Sequence, residues 1–142
     1  MTARTSLPTL RRLRERQRDV AQAVLAAAHR DLARFEAKRR GWRAEVAAEE
    51  RCGGTDVFAA TGLWLEAARN REWRGAAEAE RLRAAVAEAE QAYRAADLAL
   101  EQVLHLARAA AKKEQRMRAA LEQKRLDDFK SRAADDDRPR TD

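Results

Sequence analysis

The sequence has one cysteine, two prolines and five glycines in 142 residues, so little in it can staple, break or bend the chain. A lone Cys52 excludes an intramolecular disulfide and offers no thiol cluster to a metal. Aromatic residues are scarce, at 5%, which argues against a thick globular core. No apolar run approaches the roughly 20 residues that a membrane span requires. Met1 to Leu10 has no apolar segment of the kind a secretory signal carries, so the expected location is cytoplasmic.

Alanine, leucine and charge make up most of the chain. Residues are 45% hydrophobic, but much of that is Ala, which buries little area per side chain. With 38% charged residues, this is the balance of a long-helix or coiled-coil protein of one domain. Between Leu82 and Leu121, one face read in steps of four and three gives Leu82, Val86, Ala89, Tyr93, Ala96, Leu100 and Val103. It continues through Ala107, Ala110, Glu114, Met117 and Leu121. That is a heptad seam without an internal Gly or Pro, filled between by good helix formers.

Upstream, Ser6 is a plausible N-cap and Pro8 suits a first turn, which predicts a helix over about 7–51. Its seam reads Leu10, Leu13, Gln17, Val20, Val24, then shifts phase by one residue to Leu25, Ala28, Leu32, Phe35, Arg39, Trp42 and Val46. Gly41 inside this helix costs about 1 kcal/mol against Ala. Cys52-Gly53-Gly54-Thr55-Asp56 is the strongest break, with Thr55 or Asp56 able to cap the next helical segment. Residues 52–62 are expected to form a turn region, with a short helical turn over Val57 to Gly62. A second helix is expected over about 63–132, weakened by Asn70 and Gly75, and an acidic tail over 134–142 is expected to be disordered.

The expected fold is all-α. Two long helices form an antiparallel coiled-coil hairpin, and the longer C-terminal helix overhangs from about His105. A turn centred near Asp56 sets Leu13 near Leu100, Val20 near Tyr93 and Leu32 near Leu82. Charge matches this division: net +5 over 8–51, −2 over 61–104 and +5 over 105–133. The seam turns polar at Glu114 and Lys124, so this last segment is the one expected to meet another protein.

Chemistry-bearing motifs are few. His29 and His105 lack ligand-spaced partners, and Cys52 lacks a base. Gly53-Gly54 lacks a phosphate-loop context. Carboxylates alternate with cations, as in Glu90/Arg94 and Glu114/Arg118, which is a solvated helix face. No catalysis, cofactor or metal is expected. Net charge of +6 and a pI near 10.2 raise nucleic acid as a partner, but 24 acidic residues are interspersed with the 30 basic ones. No base-stacking aromatic platform accompanies them, so nucleic acid is the weaker reading. The Ala-rich stripe is also poorly suited to lipid insertion. Trp64, Leu65 and Trp73, with Val57, Phe58 and Leu63, stand near the turn. They either pack around it or form an exposed anchor patch.

Leu10-Arg11-Arg12-Leu13-Arg14-Glu15-Arg16-Gln17-Arg18-Asp19, the glycine-marked midpoint, Glu114-Gln115-Arg116 and Leu121-Glu122-Gln123-Lys124-Arg125-Leu126-Asp127-Asp128-Phe129 carry a resemblance. Across almost the whole length, the chain resembles the FliJ and YscO stalk proteins of type III export systems. The resemblance implies a cytoplasmic, non-enzymatic part of a flagellar or injectisome apparatus. Its terminal coiled coil would enter a hexameric export ATPase, and its tip would address the export gate. Export chaperones are further implied partners. On that reading Lys112, Lys113, Arg116, Met117, Leu121, Lys124, Arg125 and Phe129 would meet the ATPase. Trp64, Leu65 and Trp73 would serve the tip. A generic coiled-coil scaffold is the alternative.

Overall fold

The computed structural model describes residues 3–52 and 58–139, with side-chain detail for 6–51 and 62–139. These residues form two long α-helices packed against each other, α1 (Ala3–Cys52) and α2 (Phe58–Asp136), with no strand among them. At 1.5 Å per residue they span about 75 and about 120 Å. Helix α1 starts earlier than expected, so Ser6 lies within it rather than at its cap. Pro8 sits inside the helix. Its missing N–H orphans only the carbonyl of residue 4, near a terminus where the loss is small. Helix α2 takes in residues 58–62, which were expected to belong to the turn region. It also runs through Asp136, so residues 134–136 are helical rather than part of a disordered tail. The expected turn at Gly53-Gly54, its caps Thr55 and Asp56, and Val57 lie outside the described residues, as do residues 140–142.

On α2 the heptad pattern holds for as long as a partner is present. From Leu82 to Ala107 every expected seam residue is buried or half-buried. The core is Ala79, Val86, Ala89, Leu100 and Val103, each no more than 8% exposed. Past Ala107 the same face opens: Ala110, Met117 and Leu121 are exposed, and only Glu114 is half-buried.

Helix α1 departs from expectation in its first half. The inward row runs Leu7, Leu10, Arg14, Arg18 and Ala21, and joins Leu25, Ala28, Leu32, Phe35, Arg39, Trp42 and Val46 without a phase shift. Leu13, Val20 and Val24, expected in the seam, are 50%, 59% and 54% exposed. The reason is rigidity. A straight helix that seats Leu25 to Val46 against α2 cannot rotate to favour Leu13 and Val20 in the turns before it. Arg14 and Arg18 stand half-buried in the row instead. Their Nη atoms reach Gln17 (3.0 Å) and Asp19 (3.2 Å), while each Nε is covered without a hydrogen-bond partner among the described residues.

Ion pairs report the register. Glu72 accepts from Arg39 Nη2 at 2.7 Å and Arg43 Nη2 at 2.8 Å. Farther out, Glu36 meets Arg83 at 3.5 Å and His29 meets Glu90 at 3.9 Å. Each of these pairs lies about six residues beyond the expected register. Leu13 and Val20 therefore face neither Leu100 nor Tyr93. Partner numbers rise along α2 as they fall along α1, consistent with the antiparallel hairpin.

The helices approach closely at Gly75. A Cβ there would stand 3.2 Å from a Trp42 ring carbon and 3.5 Å from Arg39 Nε, whereas a Cβ at Gly41 would meet nothing within 4 Å. Gly75 therefore seats Trp42, and Gly41 is only a weak helical position.

Replacing Gly41 with Ala is expected to stabilise the fold by about 0.5–1 kcal/mol, and Gly75→Leu to destabilise it by about 1–3 kcal/mol, both read by urea unfolding. The Arg43 and Arg39 hydrogen bonds hold the Glu72 carboxyl below its ordinary value. A depressed folded-state pKa stabilises above the unfolded value and is lost as pH falls through the folded one. Glu72 is solvent-accessible, so Glu72→Gln is expected to cost at most about 1 kcal/mol at neutral pH. Its unfolding curve should converge with that of the parent in acid below the ordinary glutamate range.

Candidate interaction surfaces

Near the start of α2, adjacent residues take different faces. Leu65 is half-buried and lines a groove with Trp42, Val46 and Ala68. Trp64 is 36% exposed and Trp73 is 76% exposed. Nine residues separate these two tryptophans, which at 100° per residue is half a turn out of phase. They stand on opposite sides of α2 and do not form one patch with Leu65.

The aromatic cluster that does form is centred on Trp42. Phe35 meets it edge-on at 6.0 Å between centroids, Arg71 Cζ lies 4.9 Å from its ring centroid and Lys38 Nζ 5.6 Å. Each cation contributes about 0.5–1 kcal/mol at such an exposed site. The seven-residue spacing of Phe35 and Trp42 placed them on one face, but Arg71 and Gly75 come from the other helix, and nothing in their spacing announces the meeting.

The second surface is the end of α2. Lys112, Lys113, Arg116, Met117, Leu121, Lys124, Arg125 and Phe129 are all exposed on one uninterrupted helix. Leu126, which was not among the residues expected to serve this surface, is exposed as well. Met117, Leu121 and Phe129 fall within about 120° of arc, whereas the cations are spread around the circumference. Local bonds stiffen the stretch: Arg118 donates to Glu114 at 2.8 Å and Gln123 to Asp127 at 3.0 Å.

Among the described residues, no three His, Cys, Asp or Glu are grouped so as to hold a metal ion, and no helix is long and apolar enough to cross a membrane. Compared with models of known protein families, with curated proteins and with solved structures, the chain matches none.

Substitution separates packing from display at the start of α2. Leu65→Ala is expected to lower stability by about 1–2 kcal/mol, as a half-buried leucine should. Trp73→Ala is expected to change it by less than about 0.5 kcal/mol, as measured by thermal unfolding.

Proposed function

We propose that the protein is a non-enzymatic coiled-coil stalk of a type III export apparatus, flagellar or injectisome, working in the cytoplasm. In this reading α1 and the first part of α2 form an antiparallel hairpin, and α2 continues past it as an overhanging arm. The arm engages a hexameric export ATPase through Lys112, Lys113, Arg116, Met117, Leu121, Lys124, Arg125 and Phe129. Trp64, Leu65 and Trp73, at the other end, address the export gate or export chaperones.

The observation that carries the reading is the change in α2 at Arg108. From there to Pro139 every residue except Glu114 is exposed, although the helix persists to Asp136. That length of helix, with net charge +5 over 105–133, has no core of its own to join. Cations on several sides with an apolar strip among them suit a helix surrounded by protein, as inside a ring. A duplex would draw its cations to one face. The sequence resemblance supplies the identity of the ring.

The test is truncation after Ala111 and reversal of Lys112, Lys113 and Arg116 to Glu, measured against a purified hexameric export ATPase. The truncation is expected to abolish binding and ATPase stimulation while circular dichroism shows the remaining helices intact. The reversal is expected to slow association, with the effect shrinking at high salt as screening removes the attraction. ATPase binding untouched by both changes would sink the stalk reading and leave a generic scaffold.

A further inference from the structure

The two flanks of the helix pair differ, and the difference is visible on both helices at once. His29 and Glu36 directly follow the inward residues Ala28 and Phe35, and their partners Glu90 and Arg83 directly follow Ala89 and Leu82. These pairs mark one shared flank. Residues that directly precede the other inward row (Arg18 and Leu25 on α1; Tyr93, Leu100 and Ala107 on α2) face the opposite flank.

That opposite flank carries no charge over about five turns. On α1 it consists of Leu13, Gln17, Val20, Val24 and Ala27. On α2 it consists of Ala92, Ala95, Ala99, Gln102, Leu106 and Ala109. With His29 level with Glu90, Ala27 stands level with Ala92, Val20 with Ala99 and Leu13 with Leu106, so the two rows form one band about 25 Å long. At the chain's 38% charge, about four of these eleven positions would be charged by composition alone. Leu13, Val20, Val24 and Leu106 are each at least half exposed.

The border of the band is basic. Arg16, Arg30 and Arg34 edge it on α1, and Lys113 and Arg116 continue it on α2, against only Asp31 and Glu88. Arg16, Arg30 and Arg34 make no ion pair among the described residues. A second copy of the chain would bring two such borders together, and like charges oppose that docking. An apolar flank shared by two helices accepts an amphipathic helix.

We propose that this flank binds an amphipathic helix of another protein whose own edges are acidic, completing a three-helix bundle. The site lies upstream of the ATPase-binding stretch, meets it only at Lys113 and Arg116, and does not depend on that assignment.

The test uses the full chain and a labelled helical peptide of about six turns, with Leu at a and d and Glu at e and g, followed by fluorescence anisotropy. A matched peptide carries Lys at e and g. Saturable binding of the Glu peptide is expected, with the Lys peptide about tenfold or more weaker. Val20→Asp with Leu106→Asp is expected to weaken binding about tenfold or more, with helicity retained because both side chains are exposed in the free protein. Reversal of Arg16, Arg30 and Arg34 to Glu should invert the preference between the peptides and leaves the band itself untouched. The proposal would be overturned by no saturable binding, by binding indifferent to both sets of changes, or by binding lost only on truncation after Ala111. A dimer in sedimentation that Val20→Asp disperses would overturn it in favour of a second copy.

Discussion

The constraint on which the structure depends is that α1 is one unbroken helix and can present only one face. Its second half seats Phe35 and Trp42 against α2, where Gly75 removes the Cβ that would otherwise stand 3.2 Å from the indole. Once that half is fixed, the phase of the first half is fixed with it. Arg14 and Arg18 are drawn inward, and Leu13, Val20 and Val24 are turned out. The outer part of the pair therefore has arginines among Leu7, Leu10 and Ala21 in its inward row, and further apolar side chains that would have strengthened it lie on a flank.

The same rule explains what the sequence disclosed and what it withheld. On α2 from Leu82 to Ala107 the apolar residues and the helical phase agree, and the seam could be read directly. On α1 before Leu25 they disagree by one residue. A reading that followed hydrophobicity had to insert a phase shift, whereas a continuous backbone overrides a few misplaced methyl groups. Register was not legible, because the apolar spacing of a seam does not fix where the chain reverses. Gly75 against Trp42 and Glu90 against His29 both lie about four to six residues beyond a turn centred at Asp56.

The aromatic residues near the start of α2 show a further limit. Trp64, Leu65 and Trp73 are close in sequence, and were expected either to pack around the turn or to form an exposed anchor patch. Helical periodicity disperses them, and Leu65 alone of the three turns toward α1. Trp42 draws its partners from across the seam, which spacing along one helix cannot reveal. In the last stretch of α2, exposure of the side chains accompanies the polar seam at Glu114 and the excess of cations.

Helix α2 also works as a beam under two kinds of support. As far as Ala107 one side of it leans on α1, so a sideways load is shared between two rods and the bending stiffness is that of a bundle. From Arg108 to Pro139 no residue is fully buried, and on the proposed stalk reading the rod resists alone there. Flexural rigidity rises steeply with cross-section, so deflection under load concentrates just past Ala107. No proline or glycine lies between there and Asp136 to form a hinge, so the lever yields by smooth curvature rather than by a kink. A displacement applied at its far end reaches the packed region attenuated but with its direction preserved.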